Sequence, residues 1–220
     1  MIPLSDASRR PLHFPIATIT LILVNAYVFW LELTYGDAFV ARWALVPAHI
    51  SSGRDWITIL TAMFLHAGWL HILGNMLFFW VFGPQIEDLM GPVSFIIFYL
   101  LGGVAATVAQ IYIAPHSLIP NLGASGAIAA VMGAFLINYP RDRIRTVIFL
   151  GFFVNIALIP AILLVGLWFL IQVFNEFGPL ARLQSGGVAY MAHIGGFIFG
   201  LVFNRIFETA RRRRQQGLND

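Results

Sequence analysis

The chain has 220 residues, of which 59% are hydrophobic and 10% charged, and its mean hydropathy is +0.82. That composition is too apolar for a soluble domain and predicts a polytopic membrane protein. Cysteine is absent, which excludes a disulfide framework, a thiolate metal site and a thiol nucleophile. The net charge of +3 says less than its placement, since every Lys or Arg position is arginine and most lie in a few clusters.

Residues 1–13 are polar and carry Arg9 and Arg10. Residues 14–33 then form an apolar run of about 20 residues, enough to cross a bilayer. No small-residue cleavage pattern follows, so the run reads as a permanent first helix and not an export signal. Residues 34–67 mix Asp37, Arg42, Pro47, Arg54 and Asp55 with Trp43 and Trp56, the composition of a structured loop lying partly among lipid headgroups.

A second apolar segment covers 69–84 and a third 93–114, joined by the short stretch 85–92 that ends in Gly91-Pro92. The fourth starts near Ser125 and stops at Pro140. After Arg141, Arg143 and Arg145 comes an apolar stretch too long for one untilted span and interrupted at Pro160. It divides into an interfacial piece at 146–157 and the core of a fifth helix at 160–174. The last segment covers 187–207.

The expected fold is therefore all-α, a bundle of six transmembrane helices in a single membrane domain over 1–220, with short tails at about 1–13 and 208–220. Six spans place both termini on one side. Arg9, Arg10, Arg141, Arg143, Arg145, Arg205 and the run Arg211, Arg212, Arg213, Arg214 fall on that side, against Arg42, Arg54 and Arg182 on the other. The excess makes it the cytoplasmic side.

Three polar groups in apolar segments then share one layer. His71, Ser125 and His193 each lie within about two turns of where the second, fourth and sixth helices enter from the outer face, at 1.5 Å of rise per residue. Polar side chains inside a bilayer are costly and by default carry a functional hypothesis. Acyl transfer needs such a set. Ser125 would be the nucleophile, and His193 the base that takes its proton and later protonates the leaving amine. His71 and Asn75 are four residues apart on one helix face. With the Ser125 backbone N–H at a helix start, they would stabilise the oxyanion. The sequence names no third member to orient His193, so the pattern is that of a dyad.

These residues stand in motifs that resemble the rhomboid intramembrane serine proteases over nearly the whole chain. The family's Gly-x-Ser-Gly is Gly123-Ala124-Ser125-Gly126. Its histidine in a glycine-rich last helix is Ala192-His193-Ile194-Gly195-Gly196 with Gly200 one turn on, and its His-x-x-x-Asn is His71 to Asn75. The resemblance implies a serine endopeptidase that cleaves single-span or multi-span membrane proteins near the membrane boundary. It implies no metal or other cofactor, and no nucleic-acid partner is expected. The expected location is the lipid bilayer of a bacterial inner membrane. Two positions depart from the family: Ile57 follows Trp56 where many relatives have arginine, and Ala129 stands where some carry a tyrosine that packs on the histidine.

Plainer readings accompany these. Gly123, Gly126, Gly196 and Gly200 are expected to serve helix packing. His66 and His116 read as loop or interface histidines, His13 and His49 as solvated or headgroup-facing, and the terminal arginines as contacts for anionic lipid. A metal or haem protein would draw on His66, His71, His116 and His193, but no His-x-x-x-His pair or intrahelical carboxylate supports it. A proteolytically inactive chaperone or adaptor with the same fold is the remaining alternative.

Overall fold

The computed structural model describes residues 1–150, 153–178 and 189–208. The chain begins with β1 (Ile2–Asp6) and continues into α1 (Ile16–Tyr35). Pro15 offers α1 no side-chain cap, so the free N–H groups of its first turn need another acceptor. Glu87 supplies it. Its buried carboxylate accepts from the N–H of Ala17 at 2.8 Å, the N–H of Thr18 at 2.7 Å and the Thr18 hydroxyl at 2.7 Å.

The loop after α1 is built from α2 (Asp37–Trp43), α3 (Pro47–Ser51), α4 (Thr58–Thr61) and a 3-10 turn at Ala62–Phe64. It is tied down at its far end by Glu32, near the end of α1, which accepts from the N–H of His66 at 3.0 and 3.2 Å.

Next comes α5 (Trp69–Met90). It runs six residues past Pro84, where the sequence predicted its end. Proline removes one backbone bond but is tolerated in an apolar helix that is packed on its neighbours, and here Gly83, Pro84 and Gln85 are all buried. The break falls instead at Gly91, whose φ of +81° favours glycine, and α6 (Pro92–Ile113) starts at the following proline.

The central helix is α7 (Ser125–Asn138), with every residue from Gly126 to Phe135 buried. Its partner α9 (Tyr190–Phe207) approaches at backbone distance. A Cβ on Gly200 would strike the Ala130 carbonyl oxygen, and one on Gly133 that of Phe197. Between them in the chain comes α8 (Ala161–Phe177), which packs on α9 by stacking Phe169 on Phe197 with ring centroids 4.3 Å apart.

The segment expected to be an interfacial piece at 146–157 is a hairpin. Strands β2 (Arg143–Leu150) and β3 (Phe153–Pro160) pair antiparallel from Arg143↔Pro160 to Leu150↔Phe153, and β1 adds to the other edge of β2. β-branched residues at Ile144, Thr146, Val147, Ile148, Val154 and Ile156 suit a pleated surface. An apolar run of this length does not by itself distinguish strand from helix. The fold is thus mostly helical with a small sheet, not all-α. Arg9 ties the sheet to the bundle: its Nη2 donates to Asp142 Oδ1 at 3.0 Å, its Nε to the other oxygen, and its guanidinium lies 3.9 Å from the Tyr139 ring centroid.

By length and composition, α1, α6 and α9 are able to cross a membrane, and α4 with its 3-10 turn joins α5 across a 92° bend to make a fourth candidate. The other two predicted spans are shorter apolar helices, α7 and α8. With 14 residues, α7 is about 21 Å long at 1.5 Å per residue, less than the hydrocarbon thickness of about 30 Å. Non-helical backbone at membrane depth is tolerated where protein surrounds it, and α7 is so surrounded. Arg182, the expected start of the last span at 187 and the Arg211 to Arg214 run lie outside the described residues.

Candidate active site

The first turns of α5, α7 and α9 lie together at the end of the bundle remote from the sheet. Ser125 is the first residue of α7, and its Oγ is 2.8 Å from Nε2 of His193, in the first turn of α9. So short a contact between two helices requires that almost no side chain intervene. A Cβ on Gly196 would strike the carbonyl oxygen of Gly126, and a Cβ on Gly126 would meet the Ala106 side-chain Cβ on α6.

His71 and Asn75 face Gly123, two residues before Ser125. A Cβ on Gly123 would lie 2.9 Å from His71 Nε2 and 3.7 Å from Asn75 Nδ2. Gly123 itself has φ +127°, a conformation that L side chains rarely adopt, and its N–H is fixed on the Ala62 carbonyl at 2.8 Å. The protonation of His71 follows from its other nitrogen: Nδ1 accepts the N–H of Ala67 at 3.2 Å, so in the neutral ring the hydrogen is on Nε2. The Asn75 amide nitrogen is buried with no hydrogen-bond partner, an unusual state for a donor. Two donors therefore converge on Gly123, two residues before Ser125. A cavity of about 50 Å³ adjoins the serine, lined by Met63, Gly103, Gln110, Gly123 and Ala192 among others.

Residues that the sequence did not single out complete the surroundings. Gln172 of α8 is buried, with its Oε1 2.9 Å from His193 Nδ1, and the Trp168 ring lies 5.8 Å from the imidazole. Gln110 of α6 accepts the N–H of Ala192 at 3.3 Å. The signal for both glutamines was present: a lone amide in an apolar segment marks a protein-facing position.

His66 lies, as expected, in the loop between the 3-10 turn and α5, but it is buried there: it is 2% exposed, with its ring 5.1 Å from that of His71. His13 is exposed but its Nδ1 is 2.7 Å from Asp88, and His49 is 3.0 Å from Asp55. Among the described residues no three His, Asp or Glu side chains are grouped so as to hold a metal ion.

Residues 53–209 match the family model for the rhomboid domain. The chain is 28% identical over 189 residues to mitochondrial rhomboid protein 1 of Saccharomyces cerevisiae, covering 79% of this chain and 51% of that one. It is 30% identical over 168 residues to the rhomboid protease GluP of Bacillus subtilis, covering 74% and 32%. With the putative rhomboid protease YdcA of the same organism it shares 28% over 121 residues, 54% of this chain and 60% of that one. The chain thus spans about a third to three fifths of the length of these relatives. With apolar helices of membrane-crossing length and a family match over most of its residues, the chain is an integral membrane protein that belongs to the rhomboid family.

Proposed function

We propose that the chain is an intramembrane serine endopeptidase that cleaves membrane-protein substrates near the membrane boundary. The observation that carries this reading is the 2.8 Å contact between Ser125 Oγ and His193 Nε2, within the reach that proton transfer requires. Ser125 Oγ attacks the scissile carbonyl carbon while its proton passes to Nε2 of His193. The carbonyl oxygen becomes an oxyanion, which receives hydrogen bonds from His71 Nε2, Asn75 Nδ2 and the Ser125 N–H. The intermediate collapses as the C–N bond breaks, and His193 gives its proton to the departing amine. Water then attacks the acyl-enzyme with His193 again as base, releasing the new carboxylate and restoring the serine.

The machinery needs no group beyond these side chains. The reading places six spans in a bacterial inner membrane with both termini in the cytoplasm, which puts the Ser125 layer towards the outer leaflet. Single-span proteins are the simplest substrates for it. The test is reconstitution of the purified protein in liposomes with a panel of single-span proteins. Wild type is expected to release defined fragments that Ser125→Ala does not. Identical behaviour of the two proteins would sink the protease reading and favour the inactive adaptor.

A further inference from the structure

Neither the family motifs nor the Ser125 contact says what holds His193, yet an imidazole serves as base only in one tautomer and one orientation. Gln172 settles both. Its Nε2 donates to the carbonyl of Trp168, one turn earlier on α8, at 3.0 Å. That bond fixes the sense of the amide, because the flipped form would set two acceptor oxygens against each other. Oε1 is therefore the atom that faces His193 Nδ1 at 2.9 Å. An amide oxygen only accepts, so Nδ1 carries the ring hydrogen. Nε2 is left with its lone pair, and it is Nε2 that faces the Ser125 hydroxyl.

We infer that Gln172 is a positioning residue of this site: it holds His193 as the Nδ1–H tautomer and turns its basic nitrogen towards Ser125. The inference deepens the protease reading and rests on it for its consequence in catalysis, though not for its statement about the ring. Where soluble serine hydrolases use a carboxylate, a buried carboxylate here would be a charge without a partner in an apolar surround. A neutral amide orients the imidazole at no such cost, as the asparagine does in Cys-His-Asn sites. The relay also joins three helices. Ser125 is on α7 and His193 on α9, but the restraint comes from α8, whose far side exposes Leu163, Leu167, Leu170 and Phe174. The placement of α8, set by Phe169 on Phe197, decides whether the histidine is held.

The test has two arms on the full chain in detergent or lipid. The first is 15N NMR of histidine-labelled protein, with the His193 signals assigned by their loss in His193→Ala. Wild type is expected to show Nδ1 protonated and Nε2 not, while Gln172→Leu shows a mixture or the opposite tautomer. An unchanged tautomer in Gln172→Leu overturns the inference whether or not the protein cleaves anything. The second arm compares cleavage, with kcat and KM measured separately. Gln172→Leu is expected to lose on the order of 10-fold or more in kcat with little change in KM.

Gln172→Glu keeps an acceptor for Nδ1–H, and it covers the case in which the leucine variant does not fold. It is expected to keep Nδ1 of His193 protonated in the NMR arm and to cleave faster than Gln172→Leu but slower than wild type, because its carboxylate cannot donate to the Trp168 carbonyl. Loss of the proton from Nδ1 in Gln172→Glu, or a wild-type kcat in Gln172→Leu, overturns the inference. Absence of cleavage by wild type overturns the protease reading instead, and leaves the NMR arm to decide the role of Gln172.

Discussion

Gly196 of α9 sits against Gly126 of α7 so closely that a methyl group added to Gly196 would clash with the Gly126 carbonyl oxygen. The contact is one turn below the Ser125 and His193 pair, and it sets their separation. Gly196→Ala is expected to destabilise the bundle by about 1–3 kcal/mol, the usual range for overpacking, and Gly196→Leu to abolish cleavage. Gly166→Ala on α8 is the control, because nothing lies within 4 Å of its added Cβ. It is expected to be neutral or stabilising by up to about 1 kcal/mol. Thermal unfolding in detergent distinguishes the two.

Glu87 closes the start of α1, so Glu87→Ala leaves the N–H groups of Ala17 and Thr18 buried and unbonded. A loss of about 1–3 kcal/mol is expected, with a smaller loss for Glu87→Gln, which retains one acceptor. Unfolding curves of the three proteins check this.

Arg9 and Asp142 fix the sheet to the end of α7 through paired hydrogen bonds and the Tyr139 ring. A double-mutant cycle with Arg9→Ala and Asp142→Ala is expected to give a coupling of about 0.5–3 kcal/mol. Arg9→Lys is expected not to restore it, because an ammonium neither forks to a carboxylate nor stacks on a ring as guanidinium does.

Ser125, His193, His71 and Asn75 are readable from the chain because each is a hydrogen-bonding group in an apolar run, and the common depth of His71, Ser125 and His193 follows from helix rise. Gln172 bears the same mark. The sequence does not say how α8 and α6 are rotated, however, and so which of Gln172 and Gln110 meets the imidazole is settled only by packing. The end of α5 was misplaced because a proline stops a helix only when the freed carbonyl and ring have no accommodating neighbours, and those neighbours are distant in sequence. The hairpin was missed for a related reason: its apolar run carries no period that separates strand from helix, and its partner β1 is more than a hundred residues away. The His66 N–H bonds to Glu32, again a partner that sequence patterning does not reveal.

His71 and Asn75 point donors at the same place, so removal of one leaves the other. Asn75→Ala and His71→Ala are each expected to retain slow cleavage with a fall on the order of 10²-fold in kcat. Unchanged rates in both would remove them from the mechanism.

The cavity beside Ser125 is small, about 50 Å³, and Ala62, Gly103, Ala106, Gly123 and Ala192 in its lining leave it narrow, which favours a small side chain over an aromatic ring. Substrates with alanine or serine at the cleaved bond are expected to be cut at least about 10-fold faster than the same substrates with phenylalanine there, a penalty equivalent to about 1.4 kcal/mol. Fragment release from a matched substrate series measures the ratio.

The pairing of Ser125 with His193 is tested most directly by covalent labelling with a fluorophosphonate, followed by mass spectrometry of the modified peptide in wild type and in His193→Ala. The probe is expected on Ser125 in wild type, and not in His193→Ala, where the hydroxyl has lost its base. Labelling of Ser125 at an undiminished rate without His193, or no labelling of Ser125 in wild type, would contradict the proposed mechanism.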